Sequence, residues 1–85
     1  MHETETEMVK KIWIKKLVKI RKEKGYTQEK FAELLDLSRE HIAKIETEKR
    51  NLSLDKFISA LIILGIIQIE KKKFTLYNHI VILYI

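Results

Sequence analysis

The chain has 85 residues, 46% of them hydrophobic, with no cysteine, no proline and two glycines. That length suits one compact domain near the lower limit of unaided folding, and the missing cysteines exclude a disulfide framework or a cysteine-ligated metal site. The formal net charge is +5, and because Glu3, Glu5 and Glu7 lie in the first seven residues, 9 of the 12 acidic residues remain to face all 17 basic ones. A basic body behind an acidic leader points to a polyanion such as nucleic acid, with a solvated lysine-rich surface as the plainer alternative.

In chain order, residues 1–7 (MHETETE) read as an acidic leader expected to be disordered. Their charge is the opposite of a secretory leader's. Residues 8–24 predict a first helix, with Val9, Ile12, Trp13, Leu17 and Ile20 on one stripe and Lys10, Lys11, Lys15, Lys19 and Lys22 largely off it. Ile14 and Val18 widen the apolar face, and Gly25 stops the helix by taking the left-handed conformation just past its end.

The next helices share one grammar at their starts. Thr27, Ser38 and Ser53 are good N-caps, since each side-chain oxygen accepts a bond from an otherwise unpaired backbone N–H. An apolar residue precedes each cap and another follows it four positions on: Tyr26 with Phe31, Leu37 with Ile42, Leu52 with Phe57. That is the staple spacing of helix entries. Glu29, Glu40 and Asp55 take the second helical positions, where the dipole favours an acid. The reading is helices over 28–35, 39–47 and 54–64. Phe31, Leu34, Leu35, Ile42, Ile45, Leu54, Phe57, Ile58, Leu61 and Ile62 turn inward, and Ala32 is small enough for a close helix crossing.

Residues 60–67 are the longest apolar region, eight in a row including Gly65, against the ~20 that cross a bilayer. A cytoplasmic protein with no membrane partner is therefore expected. Beyond Gly65 the pattern alternates at Ile67-Gln68-Ile69-Glu70, and residues 74–85 are rich in β-branched and aromatic types, which favours strands and leaves a fifth helix as the alternative. The organisation is thus a leader at 1–7, a helical domain at 8–65 and a tail at 66–85.

The segment from Arg21 to Gly65, RKEKGYTQEKFAELLDLSREHIAKIETEKRNLSLDKFISALIILG, resembles the helix-turn-helix domain of the lambda-repressor, Cro and Xre-type family. The TQ pair, the alanine, the cap at Ser38, the IE pair and the KRNLSL run all stand at the family's spacing. The resemblance implies a mainly α fold, a bundle of four or five helices that presents its third helix to double-stranded DNA. By position match, Arg39, Glu40 and Lys44 reach base edges, with His41 and Ala43 beside them. An arginine or lysine there suits guanine and a glutamate suits a cytosine amine. The alternative is that Arg39 and Lys44 touch phosphates alone. Gln28 stands where the family bonds a phosphate, and the helix starts at Thr27 and Ser38 offer further N–H groups to an anion. Lys49, Arg50 and Asn51, with the capped start at Ser53, make a second anchoring point or else an ordinary polar loop. Arg21 and Glu46 match a pair that forms an internal salt bridge in the family. Asp36 departs from the pattern, because a glycine is common in that turn.

One recognition helix reads only a few base pairs, so domains of this kind pair on two-fold sites. The last six side chains carry no acid or base, and an exposed strand of that composition is an aggregation hazard. A homodimer built on residues 66–85 covers it; the alternative is a tail folded onto its own core. The expected function is a DNA-binding transcriptional regulator, a repressor, with an antitoxin (which adds a toxin protein as partner) or a restriction–modification controller as variants. An interaction adaptor without DNA binding is a remoter alternative. His2, His41 and His79 are scattered and no nucleophile, metal-ligand or glycine-rich phosphate pattern appears, so neither catalysis nor a cofactor is expected.

Overall fold

Thr4 opens the first helix. Its hydroxyl accepts from the Glu7 N–H at 3.1 Å while the Glu7 carboxylate accepts from the Thr4 N–H at 3.2 Å, a reciprocal capping box. Helix α1 therefore runs Glu5–Glu23, and Glu5–Glu7 are its acidic first turn rather than part of a disordered leader. The computed structural model describes residues 3–70, 73–76 and 80–83, so the first two residues of that leader lie outside the described residues. The chain divides into two units, Met1–Leu52 and Ser53–Ile85. The division falls ahead of the fourth helix instead of after residue 65.

In the first unit α1 is followed by α2, Gln28–Leu35, and α3, Arg39–Glu46. The core consists of Leu17, Phe31, Ala32, Leu35, Ile42 and Ile45, together with one charged residue, Arg21. Trp13, Ile14, Val18 and Ile20 are half-buried, but every residue from 3 to 12 is exposed, so Val9 and Ile12 leave the predicted inward stripe. The reason is length. Nineteen residues of α1 span about 28 Å, whereas α2 and α3, with eight residues each, span about 12 Å and cover only part of it. Leu34, also predicted inward, is exposed on α2. A gap of about 20 Å³ remains among Leu17, Phe31, Ile42 and their neighbours, room for no more than one water.

The three helices of this unit end in the same way. Beyond each last turn, one N–H bonds back five residues and the one before it bonds back three: Tyr26 to Arg21 and Gly25 to Lys22, Leu37 to Ala32 and Asp36 to Glu33, Lys49 to Lys44 and Glu48 to Ile45. The closure needs a left-handed residue. Gly25 supplies it after α1, but Asp36 (φ 57°) and Glu48 (φ 64°) supply it after α2 and α3.

The second unit opens with Ser53, whose hydroxyl accepts from the Lys56 N–H and starts α4, Leu54–Ile63. Gly65, at φ 74°, closes it with bonds from Ile66 to Leu61 and from Gly65 to Ile62. Ala60, Leu61, Leu64 and Ile66 are buried and Phe57 is half-buried, while Leu54, Ile58 and Ile62, all predicted inward, are exposed. In a helix this apolar, two neighbouring rows compete for the core. The row through Phe57, Ala60, Leu61 and Leu64 wins, which leaves the row at 54, 58 and 62 outside.

After α4 the chain forms strands rather than a fifth helix among the described residues: β1 Ile67–Glu70, β2 Lys73–Leu76 and β3 Ile80–Leu83. They make an antiparallel sheet in the order β1-β2-β3, with Gln68 opposite Thr75 and Thr75 opposite Val81. The strand β3 is thus an edge. His79 and the last two residues of the tail lie outside the described residues.

Candidate nucleic-acid interface

The site is built from the turn between α2 and α3. Asp36 leaves α2 in the left-handed conformation, Leu37 turns partly inward, and the Ser38 hydroxyl accepts from the His41 N–H at 3.0 Å to start α3. Ile42 and Ile45 then anchor α3 at 2% and 4% exposure. Three to four residues make one turn, so burying these two forces the remaining positions outward. Arg39, Glu40 and Lys44 are exposed, and His41 and Ala43 are half-buried at the margin. The five residues predicted to reach bases therefore share the uncovered side of one helix.

A buried ion pair holds that helix. The Arg21 Nε donates to Glu46 Oε2 at 2.7 Å and Nη2 donates to Oε1 at 3.1 Å, a two-pronged arrangement, while Nη1 donates to the Tyr26 carbonyl at 2.6 Å. The predicted pairing of Arg21 with Glu46 is present, and Arg21 is only 5% exposed. The carboxylate takes one more bond, from Gln28 Nε2 at 2.9 Å. One carboxylate at the end of α3 thus ties α1, the turn after it and the start of α2 into one frame, with every buried polar side-chain atom among the described residues bonded.

Gln28 is positioned by that bond: one N–H of its amide is given to Glu46, and the second N–H is the donor the amide has left at the start of α2. Thr27 caps the same helix through the Lys30 N–H. Lys49, Arg50 and Asn51 follow the end of α3 and are exposed. Ser53 is exposed and caps α4, in the second unit. Sequence reasoning missed two parts of this frame. The Tyr26 carbonyl is backbone and leaves no mark in residue identity, whereas the Gln28–Glu46 bond was open to a reader who asked what else the buried carboxylate accepts.

A pair of short helices joined by a tight turn, the second anchored by its apolar side with a cationic side left bare, defines a helix-turn-helix DNA reader. The comparison with protein families agrees: the Helix-turn-helix family model matches residues 17–71, more than half of the chain. The chain belongs to the Xre and lambda-repressor type of helix-turn-helix family, whose members are DNA-binding regulators. No curated protein matches it, and no solved structure does. No described helix is long and apolar enough to cross a membrane.

Proposed function

We propose that this protein is a cytoplasmic transcriptional repressor that binds a two-fold DNA operator as a homodimer and sets α3 in the major groove. It acts by occupying DNA and not by catalysis. Arg39, Glu40 and Lys44 read base edges, with His41 and Ala43 lining the approach. Thr27, Gln28, Ser38, Lys49, Arg50 and Asn51 hold phosphates and set the register. The observation that carries this reading is the burial of Ile42 and Ile45, which leaves only the polar side of α3 for a partner.

Dimerisation through residues 66–85 has its support in β3, an edge strand whose residues Ile80, Val81, Ile82 and Leu83 carry no charge. Open strand edges of that composition pair with another strand when one is offered.

The test is selection of bound sites from random duplexes. Two like half-sites in inverted order, about one helical turn apart, are expected. Enrichment of a single unsymmetrical site, or of nothing above the input, defeats the proposal. Affinity for a selected site should also fall steeply with salt, because each lysine or arginine on a phosphate releases counterions.

A further inference from the structure

The outer side of α1 is unexplained by DNA reading. Every residue of its first two turns is exposed, and Met8, Val9 and Ile12 are among them at 49%, 52% and 52%. At 100° per residue these three cover an arc of about 100°, with Ile12 between Met8 and Val9, and Val9 borders the stripe of Ile20, Trp13 and Leu17 that runs into the core. A free helical arm of two turns is marginal in water. Here the capping box fixes its start, and Lys11 pairs with Glu3 along it.

The charges on that same side are sorted. Glu5 lies at the N-terminal end of the apolar patch, and Lys15, Lys16 and Lys19 continue the face beyond it, all exposed. None of these four has an ion-pair partner among the described residues. Glu7 is already engaged with Thr4. An acid at one end of an apolar patch and bases at the other make a surface complementary to itself when turned end for end.

We infer that α1 is a self-association surface: its first three turns pack antiparallel against the same turns of a second copy of this chain. With the two-fold axis near residues 10 and 11, Met8 and Val9 of each copy meet the partner's Ile12. Glu5 then comes opposite the partner's Lys15 and Lys16. Six apolar side chains are covered at once, and each acid gains a base. The contact is isologous, so it closes and does not propagate. It uses neither the bare side of α3 nor residues 66–85, and it therefore stands or falls separately from the DNA reading.

The test is sedimentation velocity of the full chain over a concentration series. Ile12→Glu removes a half-exposed side chain and should weaken self-association at least tenfold, whether the step lost is tetramer to dimer or dimer to monomer. Glu5→Lys and Lys16→Glu should each weaken it several-fold, and the double variant should recover most of the loss. Because the natural chain has no cysteine, orientation can be read directly. Glu5→Cys mixed with Lys16→Cys should cross-link under mild oxidation, while neither should cross-link alone. Self-association unchanged by Ile12→Glu, a double variant no better than the singles, or cross-links within each single variant would overturn the inference. Affinity for a duplex carrying one half-site should be unaffected by all these changes, so a failure of the DNA reading would show there and not in sedimentation.

Discussion

Two sets of charges lie within eight residues of one another on α3, and the protein treats them oppositely. Glu46 is drawn under the helix, where Arg21 grips both its oxygens and Gln28 adds a third bond. Arg39 and Lys44 are left in water with no ion-pair partner among the described residues. A desolvated charge has no substitute for its partner, so it serves to fix geometry. A hydrated charge gives up only water when a phosphate or base arrives, so it serves to bind. In the proposed reading the same helix thereby carries its own mounting and its own working surface.

The largest effect should come from breaking the mounted pair. Glu46→Ala leaves the Arg21 guanidinium buried without a counter-charge, and removing one member of such a pair costs about 3–5 kcal/mol. In a domain of this size that approaches the whole stability. Urea unfolding should show the midpoint collapse, and a variant that melts like the parent would mean the pair is exposed in solution. Replacing both partners with apolar residues of similar size should restore much of the loss, because the cost lies in the orphaned charge.

Changing the bare cations should reverse this pattern. Arg39→Ala and Lys44→Ala should leave the unfolding midpoint almost unmoved, since exposed substitutions rarely exceed about 0.5 kcal/mol. DNA affinity should fall instead. A lost base contact costs about 1–3 kcal/mol and relaxes preference at one operator position. A lost phosphate contact weakens all sequences alike and lowers the salt slope by about one. Titration of each variant on matched and single-mismatch duplexes separates the two roles, and loss of both stability and affinity together would blur the division drawn here.

How much of this was legible in the residues depended on whether a local rule was at work. The caps at Thr27, Ser38 and Ser53, and the inward turn of Ile42 and Ile45, follow from short-range rules, and the structure has them. The Thr4 start obeys the same rule, but its helix begins without an apolar stripe, so periodicity hides it. On α4 almost every candidate is apolar, and hydrophobicity alone gives no means of choosing between the row at 57, 61 and 64 and the row at 54, 58 and 62. That choice is made by packing. In the frame beneath α3, the Arg21–Glu46 pair was legible as a position match, while the bond from Arg21 to the Tyr26 carbonyl needed coordinates.

A smaller effect should come from the start of α3. Ser38→Ala removes the acceptor for the His41 N–H, worth about 1 kcal/mol. Because that cap orients the first turn, where Arg39 and Glu40 stand, affinity should drop along with stability. Thr27→Ala, which uncaps α2 instead, should cost similar stability with less effect on base discrimination. Equal losses of discrimination from both caps would argue that α2 and α3 move as one body when they meet DNA.

The smallest effect is a gain. Glu48 holds the left-handed position after α3 at φ 64°, a conformation that costs an L-residue about 1–2 kcal/mol and a glycine almost nothing. Glycine also has more freedom to lose on folding, which offsets part of the gain. Glu48→Gly should therefore raise stability by about 0.5–1 kcal/mol. Asp36→Gly should raise it less, since aspartate tolerates that conformation better than glutamate does. The two variants should part company on DNA. Glu48 adjoins Lys49 and Arg50, so removing its charge leaves the cations after α3 less neutralised and should tighten binding at low salt, an advantage that fades as salt rises. Asp36 sits in the turn ahead of α3, and tighter binding from Asp36→Gly that also fades with salt would show that the turn itself lies within reach of the phosphates.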